Sequence, residues 1–390
     1  MTDPQLPATF EFRAATRLVV GAGAVRRLGE LAGELLHERG TRRALVVSDP
    51  GIVAAGHAGV GVRSLEAAGI AATLFDAFGE NPTTTQVEAG TAAARDWKPD
   101  LIVGLGGGSS MDCAKGINFL LSCGGRMQDY HGRGRATGPM LPSIAVPTTA
   151  GTGSETQSFA LITDSATHMK MACGDPRAAF RIAILDVDLT LTQPARVAAL
   201  TGIDALSHAV ESHVSRAATP ASRVFSREAW RLLAKHLPRV FADGGDVAAR
   251  SAVQLAAAWA GLAIENSMLG AAHALANPLT ARHGVVHGQA VGLMLPHVVR
   301  FNGPACGGDY AALLDDVGIA AAPDRAGARL ADWLVDLLAA SGLGTTLKAV
   351  GVAAPDLIGL AESAAAQWTA GFNPRPVTAA DLAGLYEAAR

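Results

Sequence analysis

Cysteine is scarce in this chain: four residues in 390, Cys113, Cys123, Cys173 and Cys306, with no C-x-x-C pair among them. So sparse a set fits free thiols in a reducing compartment better than a disulfide framework. An excess of one charge is also missing, since 32 Lys and Arg stand against 35 Asp and Glu, a net charge of −3, and the basic residues form no stripe. Neither nucleic acid nor an anionic membrane is therefore an expected partner. The longest apolar run, "LAAAWAGLAI" at 255–264, falls short of the ~18 residues that a membrane span needs. The opening "MTDPQLPATFEFRAATRL" holds no apolar signal segment, so a cytoplasmic protein is expected. What is present is a globular composition, 49% apolar and 17% charged. At this length one ordinary core does not suffice, and two domains are the first expectation.

The two halves differ in pattern. Short apolar runs ending in Asp, Gly, Pro or Thr recur in "RALVVSD" (43–49), "ATLFDAF" (72–78), "DLIVGLGGGS" (100–109), "PSIAVPTT" (142–149) and "RIAILDVDL" (181–189). Separated by helix-compatible stretches, they read as parallel strands of an α/β sheet. Past residue 193 the pattern becomes Ala- and Leu-rich with helical spacing, as in "REAWRLLAKHLPRVFA" and "RSAVQLAAAWAGLAIEN", and no strand is expected. The chain thus divides into an α/β domain over 1–190 and an all-helical domain over 191–390, hinged near "DLTLTQP" (188–194).

"LIVGLGGGSSMDCAKGI" runs from a strand through Gly106, Gly107 and Gly108 into Ser109 and a helix. Glycines let a backbone approach a pyrophosphate, and a helix start offers unpaired N–H groups; a ligand-free tight turn is the alternative. The usual dinucleotide fingerprint has its acidic residue about 20 residues after the glycines. Here the order is reversed: Asp49 ends an earlier strand, where a carboxylate accepts from an adenosine ribose and repels a 2′-phosphate, favouring NAD over NADP. Asp49 serves equally as the cap of the turn "DPGI". A second hydroxyl- and glycine-rich loop, "VPTTAGTGSET" (146–156), follows another strand.

"GIDALSHAVESH" (202–213) places acids and histidines in a stretch that reads as a buried helix. Positions four apart lie roughly 40° apart on a helix, so Asp204 and His208 share a face; Glu211 returns to nearly the azimuth of Asp204, and His213 does not. An isolated pair of this kind also serves as a plain hydrogen-bonded couple. Downstream, residues 270–298 add His273, His283, His287 and His297 among small and apolar residues. One Asp with two or three imidazoles suits Fe(II) or Zn(II). The H-E-x-x-H signature of a metalloprotease is absent.

Five blocks, "NPTTTQVEAG", "GLGGGSSMDCAKGI", "PTTAGTGSE", "GIDALSHAVES" and "HGQAVGLMLPHV", resemble in content and order those of the iron-containing (group III) alcohol dehydrogenases. The resemblance spans roughly residues 10 to 300. It implies a dehydroquinate synthase-like fold: an α/β dinucleotide-binding domain, then a helical metal-binding domain, with hydride transfer in the cleft between them. Carried over by position, the metal ligands are Asp204, His208, His273 and His287. Gly106, Gly107, Gly108 and Ser109 hold the pyrophosphate, and Asp49 the adenosine ribose. Asp112, Thr148, Thr149 and Lys170 fall around the nicotinamide half, although an acid in a first helical turn is also expected for dipole reasons.

One position departs from the pattern. Four residues after His273 the family's best-known members carry another histidine; here stands Asn277, which cannot exchange a proton at neutral pH. His283 is the nearby candidate relay, with an exposed turn histidine as the alternative. The implied enzyme is a metal-dependent alcohol dehydrogenase or aldehyde reductase preferring NAD(H), with Fe(II) ahead of Zn(II) and a small primary alcohol or aldehyde as substrate. A homodimer or higher homo-oligomer is expected. The competing readings are glycerol dehydrogenase-, maleylacetate reductase- or dehydroquinate synthase-like members of the fold, a metal hydrolase, and a non-catalytic nucleotide sensor.

Overall fold

The computed structural model describes residues 9–36, 41–352 and 356–390; the first eight residues of the opening segment lie outside them. Among the described residues there are nine strands: β1 (Arg17–Val20), β2 (Arg43–Val47), β3 (Ala71–Phe75), β4 (Leu101–Gly106), β5 (Gly132–Arg133), β6 (Ser143–Pro147), β7 (Phe159–Thr163), β8 (Lys170–Gly174) and β9 (Ile182–Leu185). Six form one sheet in the order β1-β9-β6-β4-β2-β3, every pair parallel. The expected strands are all in it. Along β2 and β4 alternate residues enter two different cores, Leu45, Val47 and Ile102 on one face, Ala44, Val46, Leu101 and Val103 on the other. A strand buried on both faces must be apolar throughout, which is why these runs show no alternation. Strand β1 and a small second sheet, β5-β8-β7, were not expected: they are short or interrupted by polar residues such as Thr163 and Lys170.

Helices α1 (Leu28–Leu36), α2 (Pro50–Ala54), α3 (His57–Ala67), α4 (Thr84–Trp97) and α5 (Gly108–Cys123) belong to the same unit. The chain leaves β2 for its neighbour β3 on one side and then crosses to β4 on the other. The carboxyl ends of β2 and β4 therefore flank the point where strand order reverses, the place where open parallel sheets bind ligands.

The second unit is helical: α6 (Ala195–Val214), α7 (Pro220–Ala242), α8 (Val247–Glu265), α9 (Ala271–His283), α10 (His287–Asp315), α11 (Pro323–Ala340), α12 (Leu357–Ala365) and α13 (Ala379–Ala388). Every residue of α6 from Gly202 to Val214 is buried. The division falls between Gln193 and Pro194, three residues past the expected boundary. Residues 9–13 also belong with the helices: Phe12 stacks on Phe225, and Asn266 bonds both the N–H and the carbonyl of Arg13. These partners lie over 200 residues away, so no local pattern announces them. Helix α8 corrects one expectation, since its 19 residues are long and apolar enough to cross a membrane, yet two-thirds of that window is buried inside the fold. It reads as a core helix. All four cysteines are free thiols.

Candidate active site

At the carboxyl end of β2, Asp49 caps α2, accepting from Gly51 N and Ile52 N at 3.1 and 3.2 Å through Oδ1. Its Oδ2 accepts from Ser110 Oγ at 3.0 Å. The capping role is thus present, and the same carboxylate stands beside the glycine turn on the opposite side of the switch point. Gly106 has φ +150°, and a Cβ there would run into Ser110 Oγ. A Cβ on Gly108 would lie 2.7 Å from Thr152 Cγ2, so the two loops pack as closely as glycine allows. Gly107 is the N-cap of α5 and supplies no side-chain acceptor, leaving first-turn N–H groups for an anion.

The other cofactor candidates gather around this turn. Ser109 Oγ accepts from Asn81 N at 3.1 Å, and Asn81 Oδ1 accepts from Lys170 Nζ at 2.9 Å. Asp112 is not in the first turn, as the dipole argument required, but deeper in α5, buried and accepting from Ser154 Oγ at 2.9 Å. Burial pushes its carboxyl upward against the opposing charges of Lys115 and Lys170. Thr148 Oγ1 is buried with no hydrogen-bond partner, and Thr149 lines the face of Gly107.

In the helical unit, α6, α9 and α10 bring four donors to one point. Asp204 Oδ1 lies 3.4 Å from His208 Nε2, 3.5 Å from His273 Nε2 and 3.6 Å from His287 Nε2. These separations exceed good hydrogen bonds. Asp204 Oδ1 and His273 Nε2 are buried with no hydrogen-bond partner, an arrangement costly without a bound cation. The candidate ligand atoms of Asp204, His208 and His273 all lie within 4.8 Å of one another. His287, the first residue of α10, reaches the cluster because Gly288 lets that helix abut α6: a Cβ there would sit 2.8 Å from the Leu200 carbonyl carbon. Three of the side chains are under 8% exposed and His287 is 31% exposed, so the cluster opens on the His287 side. Burial opposes the Asp204 anion, but the charges of His208 and His287 hold its carboxyl well below the usual range. The residues fit a divalent ion.

Glu211 stands behind this cluster, and no role was expected for it although its azimuth matches that of Asp204. It is buried, with Oε2 2.5 Å from His273 Nδ1 and Oε1 accepting from Ala272 N at 2.7 Å. The remaining histidines stay away. His283 is the exposed last residue of α9 rather than part of a loop, ten residues and about 15 Å of helix beyond His273. It makes no hydrogen bond or ion pair among the described residues. His297 is half-buried, and His213 faces Ser226 on α7 at 3.0 Å. Asn277, one turn after His273, donates from Nδ2 to Gln367 Oε1 at 2.9 Å.

Residues 15–187 match the family described as iron-containing alcohol dehydrogenase, and residues 198–390 match the C-terminal region of the Fe-containing alcohol dehydrogenase family. The chain belongs to this family. It is an oxidoreductase of the alcohol dehydrogenase class, with the family's α/β and helical pair of domains. It is 34% identical to the NAD-dependent methanol dehydrogenase of Bacillus methanolicus over 94% of this chain and 96% of that protein. The 1,3-propanediol dehydrogenase of Klebsiella pneumoniae is 34% identical over 92% and 94%. Among solved structures, a 1,3-propanediol oxidoreductase superposes with a TM-score of 0.94 at 32% identity, covering 98% of this chain and 100% of its own. The sulfoacetaldehyde reductase of Bifidobacterium kashiwanohense in complex with NAD+ gives 0.87 at 28%, covering 98% and 99%.

Proposed function

We propose that this iron-family dehydrogenase uses NAD(H) ahead of NADP(H), holds Fe(II) ahead of Zn(II), and interconverts a small primary alcohol and its aldehyde. The observation that carries the reading is the buried cluster of Asp204, His208, His273 and His287, in which one carboxylate and three imidazoles face a common point. A divalent ion held there supplies Lewis acidity that acidifies an alcohol or polarises an aldehyde, and a nicotinamide supplies or accepts the hydride.

The chain's own residues do the rest. Burial of Asp204, His208 and His273 excludes water, and the open side at His287 admits a small substrate. The uncapped start of α5 holds the pyrophosphate, while Asp49 accepts from the adenosine ribose and repels a 2′-phosphate. Ser109 is assigned with the glycine turn to the pyrophosphate, and Asp112, Thr148, Thr149 and Lys170 to the nicotinamide half and its ribose. The methanol and propanediol dehydrogenases among the relatives support a short primary alcohol. Asn277, tied to Gln367, positions substrate without exchanging a proton. A homo-oligomer, and a cytoplasmic setting consistent with the free thiols, belong to the same reading.

The test is a panel of short aldehydes followed by NADH oxidation, in metal-stripped protein given Fe(II) or Zn(II), beside His208→Ala. Turnover should depend on added metal and vanish with the bound ion in His208→Ala while the fold persists. Full turnover after exhaustive chelation would end the metal assignment, and metal binding without NADH oxidation on any short aldehyde would end the substrate assignment.

A further inference from the structure

We infer that Glu211 is a positioning residue for the metal: it fixes the ring and tautomer of His273 so that Nε2 faces the ligand cluster. The inference rests on the metal reading above and concerns a residue outside the ligand set. Both groups that meet the Glu211 carboxylate are donors, His273 Nδ1 at 2.5 Å from Oε2 and Ala272 N at 2.7 Å from Oε1. A carboxylate accepts with both oxygens, so Glu211 holds the Nδ1 proton of His273 and leaves Nε2 as the nitrogen that gives up its proton to bind a metal. That Nε2 is the buried, unpartnered atom 3.5 Å from Asp204 Oδ1.

The placement is built rather than incidental. Asp204, His208 and Glu211 occupy one face of α6, and Glu211 also meets an N–H in the first turn of α9, where the helix dipole favours an anion. Glu211 thereby joins the helix that carries two candidate ligands to the helix that carries a third. Gly270 makes room for it, since a Cβ there would lie 3.0 Å from Glu211 Oε1 and 3.1 Å from Asn373 Oδ1. Asn373 accepts from Ala271 N at 3.3 Å and exchanges hydrogen bonds with Asn302 at 3.0 and 2.8 Å, which holds the start of α9 from behind.

Glutamine does not replace this group, because its NH2 would face either the imidazole N–H or the Ala272 N–H. The experiment titrates metal-free wild type, Glu211→Gln, Glu211→Asp and His208→Ala with Zn(II) against a chromophoric chelator. In parallel, nitrogen-15 NMR at an alkaline pH, where the imidazole is neutral, reads the His273 tautomer, and thermal unfolding is followed without metal. Glu211→Gln should weaken Zn(II) binding about 10- to 100-fold and replace a single Nδ1-protonated tautomer by a mixture. Glu211→Asp, which keeps the charge one methylene shorter, should fall between the two, and it carries the test if Glu211→Gln does not fold. Wild-type Zn(II) affinity in a folded Glu211→Gln, with or without a lower unfolding temperature, would overturn the inference and leave Glu211 a structural link. If wild type and His208→Ala bind Zn(II) equally weakly, the metal reading itself falls.

Discussion

At the scale of single residues, Asp49 shows how one carboxylate serves two ends, and a substitution can separate them. Asparagine caps a helix about as well as aspartate, so Asp49→Asn keeps the acceptor for Gly51 N and Ile52 N and removes the charge. The ratio of kcat/KM for NADP(H) over NAD(H) should rise about ten-fold, with thermal stability nearly unchanged; an unmoved ratio would leave Asp49 as a cap alone. His283 is the weaker expectation. It is exposed at the end of α9 and has no hydrogen-bond or ion-pair partner among the described residues, so nothing there holds it toward the ligand cluster. His283→Ala should reproduce the wild-type profile of log kcat against pH, and a selective loss below about pH 7 would restore the relay reading. Asp204 and His208 were legible as a pair because they share a helical face, whereas His273 and His287 were singled out from four downstream histidines only by the family resemblance. Glu211 was not legible, since a carboxylate on a helix gives no sign in sequence of which imidazole it will meet 62 positions later.

Among the elements, the strands buried on both faces were legible and the edge elements were not. Six apolar residues in a row, as in β4, specify burial on two sides. The two-residue β5 and the polar start of β8 carry no such signal and depend on their neighbours for pairing. The α5 turn was legible as a loop of glycines, but not the reason for each one. Gly108 is required by Thr152 of the adjoining loop, so Gly108→Ala forces a shift worth about 1–3 kcal/mol of overpacking. That cost should appear as a rise in KM for NADH of ten-fold or more, with Zn(II) affinity unchanged; a normal KM would show that the cofactor does not use this turn. The α6–α7 contact makes a different prediction. Burial, with Arg223 adding to it and Asp309 opposing, lowers the His213 pKa to about 4. Between about pH 6.5 and 4 the unfolded chain then binds a proton that the folded one refuses. Folded stability should fall with pH across that window, by an amount on the order of 3 kcal/mol. His213→Gln should flatten the dependence of unfolding temperature on pH there, and an unchanged slope would place the acid sensitivity elsewhere.

For the molecule as a whole, the chain has two units with separate cores, and the two proposed ligands belong to different ones. The metal candidates come only from α6, α9 and α10, and the NAD candidates only from the α/β unit. The change from short continuous apolar runs to Ala- and Leu-rich helical spacing lies near Gln193, where the two units also divide. The attachment of the N-terminal segment to the helices was not legible, because Phe12 and Arg13 find Phe225 and Asn266 only after folding. A ligand that binds only the folded state stabilises by RT ln(1 + [L]/Kd), about 2.7 kcal/mol at a hundred times Kd. That stabilisation acts first on the cooperative unit whose elements the ligand joins. Zn(II) should therefore slow amide exchange in residues 195–214, 271–283 and 287–315 and leave 43–47 and 101–123 nearly as they were. NADH should protect the second set, with the turn at 106–110 changing most. Hydrogen-exchange mass spectrometry of the metal-free chain, with each ligand alone and with both, separates the cases. If NADH protected the three metal-bearing helices as strongly as the glycine turn, one cooperative unit would replace the two. If Zn(II) protected neither set, Asp204 and its three histidines would be a buried polar cluster and the enzyme's metal would have to sit elsewhere.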